Sequence, residues 1–381
     1  AVYRHAAKAD SVQQRRPNVV LIMMESMSAK FMKHFGQSET LTPFLDSLYT
    51  RSISFRNFYS AGIHTNHGLY ATLYSFPAMM KRNLMKGSVI PRYSGLPTVL
   101  KENGYYNLFF MTHEGQYDNM NAFFRTNGYD EVFSQEDYPA DKVVNSFGVQ
   151  DDFLYDYAIP VLNQRAATGQ PFFATLLSIS NHPPYVIPPF FHPKTSEPET
   201  QIVEYADWAL RQFFEEARKQ PWFDNTIFVL EGDHGKLVGD AECELPESYN
   251  HIPLMIYSSR IQPEEKTTFG GQVDIQPTIL GLLNIDYLQN NFGVDLLKEE
   301  RPCMFYTADN MVVGRNDTLL YLYNYETQQE LTYDIGNGKL NAVPMDDSFL
   351  PLKEYSFSML QSAEFLVKHG KTLNSIPFTQ Q

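Results

Sequence analysis

Short apolar runs alternate with amphipathic segments along the first 290 residues of the chain. The run NVVLIMMES has β-branched residues near its start and stops at the carboxylate of Glu25, which is typical of a strand buried on both faces. Similar runs lie in ISFRNFYSAG, YYNLFFMTHEG, PFFATLLSISNHPPY, NTIFVLEGDHGK and IPLMIYSS. Helices are predicted for TPFLDSLYTRS, LPTVLKENG, VEYADWALRQFFEEARKQ and VDIQPTILGLLNI. This alternation predicts an α/β sandwich around a largely parallel sheet.

The pattern changes near residue 300. CMFYTADNMVVGRNDTLLYLYNYETQQELTYDI predicts a hairpin or meander of short strands, and SFLPLKEYSFSMLQSAEFLVKHG predicts a closing helix. We therefore expect a main domain over residues 17–300 and a small C-terminal α+β subdomain over residues 301–381. The polar residues 1–16 are predicted to form a linker.

Composition narrows the possible partners. The chain has 381 residues with 43% hydrophobic content, enough for a large core. Its net charge of −14 argues against binding nucleic acid through a basic surface. Cys243 and Cys303 match no zinc motif, and their spacing leaves open whether they form a disulfide. No apolar run approaches the roughly 20 residues that span a bilayer.

Polar side chains capable of chemistry follow the predicted strands directly. In an open α/β sheet, ligands bind beyond the carboxyl ends of the strands. If these strands are parallel neighbours, their trailing side chains meet in one crevice. The six residues in question are Glu25, Thr65, His113, His182, Asp233 and His234.

Three of these six residues have the chemistry of metal ligands. Glu25, Asp233 and His234 suit Mn²⁺, Mg²⁺ or Zn²⁺. The Asp-His pair in GDHG lies between glycines after an apolar strand, where it has little packing value, and this favours a metal role. A hydroxyl bound to such an ion loses its proton more easily, so Thr65 is predicted to be both ligand and nucleophile.

The stretch SAGIHTNHGLYATL places Thr65 between two histidines at the start of a predicted helix. A threonine there is often only a helix N-cap, with the histidines as polar loop residues. The positive helix terminus also favours an alkoxide and an incoming phosphate. On that interpretation His64 and His67 hold substrate oxygens or move protons, and His182 or His113 protonates the leaving oxygen.

Eight motifs occur in the order seen in the sulfatase-like branch of the alkaline phosphatase superfamily: PNVVLIMMESMS, TPFLDSL, HTNHG, FMTHEG, NGYDEVF, SISNHPPY, EGDHG and HIPLMIY. Over residues 17–290 the sequence most resembles the extracellular catalytic domain of lipoteichoic acid synthases and related phosphoglycerol transferases. The resemblance implies an alkaline phosphatase-like sandwich, with residues 17–300 as the sulfatase-like catalytic domain.

The resemblance also implies roles for individual residues. In that family, the residues matching Glu25, Thr65, Asp233 and His234 bind a divalent metal ion, usually Mn²⁺. The matching threonine attacks a phosphodiester and carries a covalent phosphoryl-glycerol intermediate.

Further contacts with the substrate follow from the same resemblance. The residues matching His113 and His182 contact the phosphate or the leaving and entering groups. His251 lies where related enzymes have a substrate or second-metal histidine. Lys236 follows the metal pair closely and is a candidate to offset substrate charge.

The sequence departs from the family pattern at three places. HTNHG lacks the C/S-x-P-x-R motif that matures to formylglycine, so a formylglycine sulfatase is not expected. Ser178 stands where two-metal members have aspartate, which predicts a single ion. EGQYDNMNAFF carries Asp118 and Asn119 instead of the Trp and Arg of lipoteichoic acid synthases. Asp118 would repel phosphate but can bond hydroxyls, which suits a sugar or amino-bearing head group.

These observations predict a metal-dependent phosphotransferase that acts on a phospholipid or on a phosphorylated or sulfated glycan. A sulfatase or phosphodiesterase would use the same residues with water as the acceptor. A catalytically inactive lipid- or glycan-binding sensor domain is the alternative of another class. The resemblance further implies a bacterial membrane location, with this domain outside the cytoplasm and an anchor before residue 1. The oligomeric state stays open.

Overall fold

The computed structural model describes residues 4–7 and 16–374. Fifteen strands occur in this part of the chain: β1 (Arg4–Ala6), β2 (Asn18–Met24), β3 (Ile53–Tyr59), β4 (Tyr106–Phe110), β5 (Glu131–Phe133), β6 (Phe172–Leu177), β7 (Thr226–Gly232), β8 (Leu254–Tyr257), β9 (Glu264–Gly271), β10 (Tyr287–Gln289), β11 (Met304–Thr307), β12 (Met311–Arg315), β13 (Leu319–Asn324), β14 (Gln329–Asp334) and β15 (Asn341–Ala342). The α-helices of the same part are α1 (Pro43–Tyr49), α2 (Thr65–Tyr74), α3 (Leu96–Glu102), α4 (Met120–Thr126), α5 (Asp151–Ala166), α6 (Pro198–Ala217), α7 (Ile275–Leu282) and α8 (Leu350–Lys368).

An eight-stranded sheet forms the centre of the molecule, in the order β5-β4-β6-β2-β7-β8-β3-β9. Within this sheet β8 pairs antiparallel with both of its neighbours, and the other pairs are parallel. The prediction of an α/β sandwich around a largely parallel sheet is therefore confirmed.

The residues of the central strand β2 show that the sheet is covered on both faces. All seven of its residues are buried, and successive side chains point to opposite faces of the sheet. Val19 and Leu21 join a core formed with α2, α3, α4 and α7. Val20 and Ile22 join a second core formed with α1, α5 and α6. An apolar run without alternation is what this double burial requires.

The C-terminal part forms a separate antiparallel sheet, β11 to β15, with α8 packed on it. Its inner face packs on the central domain through Met304 and Tyr306, which contact the cluster that contains Tyr59 and Phe269. The predicted C-terminal subdomain of strands with a closing helix is thus confirmed. Both cysteines are free thiols.

The predicted N-terminal linker, residues 1–16, is described only in part. Within it, β1 pairs antiparallel with β10, and Arg4 forms an ion pair with Glu299 at 3.0 Å. Residues 4–6 are therefore sheet, not free linker, while residues 1–3 and 8–15 lie outside the described part. The domain boundaries stay a prediction. Among the helices described, none combines the length and apolar character that crossing a bilayer requires.

Candidate active site

The ends of β2 and β7 bring the predicted metal ligands together. These strands are parallel neighbours with Met24 opposite Gly232, so Glu25 and Asp233 leave the sheet side by side. The ligand atoms of Glu25, Asp233 and His234 all lie within 4.8 Å of one another. Thr65, the first residue of α2, donates a hydrogen bond from Oγ1 to Glu25 Oε2 at 3.3 Å.

Hydrogen bonds fix the orientation of this cluster. Asp233 Oδ1 accepts from the backbone N–H groups of Ser26 and His234 at 2.8 and 2.7 Å. Asp233 Oδ2 is buried without a hydrogen-bond partner among the described residues. His234 Nδ1 donates to the carbonyl of Gly235 at 2.7 Å, so Nε2 turns toward Asp233 Oδ2 at 3.6 Å and Glu25 Oε1 at 3.8 Å.

The electrostatics of the cluster fit a divalent cation. Burial, and next the charge of Asp233, raise the pKa of Glu25 well above its usual range. Two adjacent buried carboxylates are unfavourable unless a positive charge compensates them. An unpartnered carboxylate oxygen, a second carboxylate, a hydroxyl and an imidazole Nε2 form a donor set that suits Mn²⁺, Mg²⁺ or Zn²⁺.

Small residues let the first turn of α2 approach this cluster closely. A Cβ atom at Gly68 would lie 2.2 Å from the Asp233 carbonyl oxygen, and one at Gly62 would lie 2.3 Å from His67 Nδ1. Gln272 Nε2 donates to the same Asp233 carbonyl at 2.7 Å, and its Oε1 accepts from Ala61 N at 2.9 Å. His64 is the N-cap residue of α2, which leaves the Thr65 hydroxyl free of a capping role.

Two histidines flank Thr65 along α2. His67 is buried, and neither of its ring nitrogens has a hydrogen-bond partner in the described part of the chain. Burial, and next the neighbouring His64, lower the pKa of His67 to about 4. His64 Nε2 lies 2.7 Å from Oδ1 of Asp309, a residue between β11 and β12. Sequence analysis did not identify Asp309, because nothing local marks a loop residue that acts from another subdomain.

His113 and His182 differ in their surroundings. His113 is buried, which lowers its pKa, and its Nδ1 donates to the Glu114 carbonyl at 3.2 Å. The neutral ring therefore presents Nε2 as an acceptor. His182 is only partly buried, with Nδ1 at 2.6 Å from the Pro183 carbonyl and its ring centroid 4.1 Å from that of Phe147.

Asp118 reaches the residue next to the candidate nucleophile. Its Oδ2 accepts from Asn66 Nδ2 at 3.5 Å, and its Oδ1 pairs with Lys86 Nζ at 2.7 Å. The expected repulsion of phosphate by Asp118 is therefore offset by Lys86. Asn119 Nδ2 donates to the Met85 carbonyl at 3.3 Å, so this side chain supports the loop that carries Lys86.

Asn181, a residue that the sequence analysis missed, links Lys236 to Glu25 by hydrogen bonds. Lys236 Nζ donates to Asn181 Oδ1 at 2.5 Å and to the Tyr185 hydroxyl at 3.1 Å. Asn181 Nδ2 donates to the carbonyls of Glu25 and Ser26, both at 3.1 Å. Burial lowers the pKa of Lys236 to about 8. The position of Asn181 directly before His182 in SNHPPY was the available signal.

His251 and Ser178 both form contacts that the sequence analysis did not specify. The ring of His251 stacks on Tyr59 at 5.1 Å, and its Nε2 bonds the Arg56 carbonyl at 2.7 Å. Neither partner belongs to the cluster of Glu25, Asp233 and His234, and a role of His251 in binding substrate stays a prediction. Ser178 Oγ accepts from Glu25 N at 3.0 Å and so supports a ligand.

A family model described as Sulfatase matches residues 17–285. Because the match covers most of the chain, the chain belongs to the sulfatase family. The predicted place in the sulfatase-like branch of the alkaline phosphatase superfamily is confirmed. Family membership also places the chain among enzymes that act on phosphoric or sulfuric esters.

Curated relatives are similar over most of this chain. It is 25% identical over 350 residues to lipoteichoic acid synthase 1 of Bacillus subtilis (strain 168), which covers 84% of this chain and 53% of that protein. It is 26% identical over 322 residues to phosphoglycerol transferase I of Xanthomonas campestris, which covers 80% of this chain and 46% of that protein. The chain therefore spans about half the length of these relatives.

Solved structures share the whole fold. A protein in the alkaline phosphatase superfamily from Vibrio parahaemolyticus has a TM-score of 0.87 and 26% identity, covering 97% of this chain and 91% of that chain. The lipoteichoic acid synthase LtaP from Listeria monocytogenes has a TM-score of 0.80 and 20% identity, covering 95% of this chain and 96% of that chain. The alkaline phosphatase-like architecture is confirmed.

Proposed function

We propose that this chain is a metal-dependent transferase that moves a phosphoryl-linked head group from a phosphodiester to an alcohol. Glu25, Thr65, Asp233 and His234 would hold one divalent ion, with Mn²⁺ the first candidate and Mg²⁺ or Zn²⁺ the alternatives. The observation that carries the proposal is a helix-terminal hydroxyl bonded to a buried three-donor cluster. Relatives named lipoteichoic acid synthase and phosphoglycerol transferase support transfer in preference to hydrolysis.

The chemistry proceeds through Thr65. A bound divalent ion would supply the positive charge that favours loss of the Thr65 hydroxyl proton to solvent before the attack, and it would neutralise the phosphate. The Thr65 oxygen attacks phosphorus in line, the bond to the leaving oxygen breaks, and His182 Nε2 donates a proton to that oxygen. The N-terminus of α2 stabilises the equatorial phosphate oxygens. His182, now neutral, then takes the proton of the acceptor hydroxyl as that oxygen releases the phosphoryl group from Thr65.

The remaining residues would position the substrate. His67 has two unpartnered ring nitrogens and stays neutral, so it can bond a phosphate oxygen as a donor. Neutral His113 accepts a hydrogen bond through Nε2, which suits a hydroxyl of the acceptor or the leaving group. Lys236 adds positive charge beside Glu25, while the Asp118–Lys86 pair bonds hydroxyl or amino groups of the head group.

The proposed substrate is a phospholipid, with a phosphorylated or sulfated glycan as the alternative. We also propose that the domain works outside the cytoplasm of a bacterium, tethered to its membrane. Both statements rest on the named relatives and on a site that can accept a hydroxyl-bearing head group beside the phosphate.

Intact mass analysis tests the nucleophile directly. The purified chain would be incubated with Mn²⁺ and a panel of phosphodiesters, including phospholipids and aryl esters, and then acid-quenched. We expect a covalent adduct on the wild type that is absent from Thr65→Ala and absent after chelation of the metal. Thr126→Ala, which removes an exposed threonine on α4, serves as the matched control and should retain the adduct.

Each outcome assigns the function. Transfer to an added alcohol supports a transferase, whereas release as the free phosphate monoester in the presence of that alcohol identifies a hydrolase. A bound metal with an adduct that survives Thr65→Ala would overturn the proposed nucleophile. No metal and no adduct with any substrate would leave a lipid- or glycan-binding sensor domain.

A further inference from the structure

The loop between α2 and α3 has a charge opposite to that of the rest of the chain. Residues 77–92, PAMMKRNLMKGSVIPR, contain four cationic side chains and no acidic one, whereas the whole chain has a net charge of −14. The four cations are Lys81, Arg82, Lys86 and Arg92, and all four residues are exposed. Such a segment creates a local positive potential on an otherwise acidic surface.

The same loop exposes apolar surface. Val89 is 81% exposed and is the most exposed of the large hydrophobic side chains in the described part of the chain. It lies between Lys86 and Arg92, so apolar and cationic groups share one tip. The neighbouring hairpin turn after β13 adds Tyr325, which is 61% exposed, and its next residue Glu326 lies 4.0 Å from Lys81.

The middle of the loop is attached to the candidate active site. Lys86 pairs with Asp118, which in turn bonds Asn66, the residue after Thr65. On the same side, Asn119 bonds the Met85 carbonyl. Whatever the tip of this loop contacts is therefore held beside the candidate nucleophile.

We propose that the loop 77–92 docks this chain onto the surface of an anionic lipid bilayer. Cationic side chains near such a surface are attracted to its negative lipid head groups. The exposed Val89 side chain gains by leaving water for the interface, which a soluble polyanion cannot offer. This combination favours a bilayer as the partner. Docking holds the crevice against the head groups and is independent of the chemistry proposed for Thr65.

Vesicle flotation tests the docking surface with the purified chain. Binding would be compared for phosphatidylcholine vesicles with and without phosphatidylglycerol, at low and at physiological ionic strength. We expect binding to the anionic vesicles alone, and weaker binding as salt screens the charges. Lys81→Gln with Arg82→Gln should weaken it by about 20-fold, since each cation near the surface contributes roughly fivefold. Val89→Ser, which preserves the charge, should also weaken binding.

Control variants keep the result interpretable. Arg218→Gln with Lys219→Gln removes two exposed cations at the end of α6, on the edge of the sheet opposite the crevice, and should bind like the wild type. Thermal unfolding should be the same for all variants, and Thr65→Ala should bind vesicles normally. Equal binding to neutral vesicles, or unchanged binding of the loop variants, would overturn the proposal. If the chain bound soluble polyphosphate more strongly than anionic vesicles, and Val89→Ser did not change that binding, the partner of the loop would be a soluble polyanion instead of a bilayer.

Discussion

At the scale of single residues, His113 and His182 differ in their exposure to solvent, since His113 is buried and His182 is only partly buried. Burial lowers the pKa of His113, whose Nδ1 donates to the Glu114 carbonyl, and this leaves a neutral ring with Nε2 as an acceptor. The ring of His182 is partly open to solvent and lies against Phe147. The sequence left either histidine as the general acid. The structure favours His182, because the buried, neutral ring of His113 presents an acceptor and no proton at Nε2.

His182→Asn should therefore slow adduct formation for some substrates more than for others. With an alkyl leaving group, which needs a proton, we expect the rate of adduct formation to fall by about 10²–10⁴-fold. With 4-nitrophenolate, which leaves without a proton, the loss should be small. Single-turnover rates with the two esters measure this difference.

The matched control for this test is His192→Asn, which changes an exposed histidine before α6 and should leave both rates unchanged. An equal loss for both esters in His182→Asn would mean that His182 positions the phosphate and does not donate the proton. In that case His113 would become the candidate acid.

At the scale of secondary-structure elements, the site depends on how closely α2 meets the loop after β7. Gly68 lies in the first turn of α2 against the Asp233 carbonyl, and Gln272 Nε2, which donates to the same carbonyl, would lie 2.9 Å from a Cβ at Gly68. The helix therefore holds Thr65 at a fixed distance from the strand end that carries the metal ligands. This contact explains a glycine inside a helix, where it costs about 1 kcal/mol relative to alanine.

Gly68→Ala should push α2 away from the metal-ligand cluster. The added Cβ would lie 2.2 Å from a backbone oxygen that cannot rotate away. A displacement of about 1 Å at the nucleophile can cost about 10²-fold in rate, so we expect at least that loss together with weaker metal binding. Calorimetric Mn²⁺ titration and the adduct-formation rate measure the two effects.

Gly336→Ala is the corresponding control, because a Cβ there comes no closer than 3.2 Å to any neighbour. It lies in the turn after β14 and should leave both the metal affinity and the rate unchanged. Wild-type metal affinity in Gly68→Ala would show that the approach of α2 does not set the geometry of the site.

Several elements of the fold escaped the sequence analysis, and α5 and β9 show why. Helix α5 contains Pro160, and its burial is irregular along the helix, which obscures the helical period. Strand β9 has mostly exposed residues in its first half and lies at the edge of the central sheet. In both cases the neighbouring elements, not the local pattern, stabilise the conformation.

At the scale of the whole molecule, a partly buried ion pair joins the C-terminal sheet to the catalytic part. Arg315 in β12 pairs with Glu247, and its guanidinium lies 5.0 Å from the ring centre of Tyr59. Burial alone raises the pKa of Glu247, but Arg315 and His251 outweigh this effect and hold that pKa at about 2. The same subdomain places Asp309 on His64. The C-terminal sheet is therefore part of the site as well as of the core.

Glu247→Gln should destabilise the protein at neutral pH and change its response to acid. Because the pKa of Glu247 is about 2 in the folded chain and 4.5 otherwise, its contribution is complete above pH 4.5 and is lost as the pH falls toward 2. The side chain remains 37% exposed, so solvent screening limits the loss to about 1–2 kcal/mol. Urea unfolding at several pH values measures the free energy difference.

The difference between Glu247→Gln and the wild type should shrink as the pH approaches 2. Glu216→Gln, which removes an exposed pair with Lys219 on α6, should change the free energy of unfolding by less than about 0.5 kcal/mol. A difference for Glu247→Gln that does not depend on pH would mean that the ion pair is not its cause.

The sequence by itself determined the class of fold and the core of the site. Apolar runs buried on both faces specify parallel strands, and the polar residues at their ends, Glu25, Asp233 and His234, meet because the carboxyl ends of such strands share one edge. The Asp-His pair of GDHG, placed between glycines after an apolar strand, indicated a metal role. These are local patterns with a direct physical meaning.

Only the tertiary structure decided how the rest of the site is assembled. Asp309 and Lys86 reach the candidate site from distant loops, and no local pattern records those contacts. The same packing stacks the ring of His251 on Tyr59. Hydrophobic periodicity specifies which face of an element is buried, but which loops then meet depends on the packing of the whole chain.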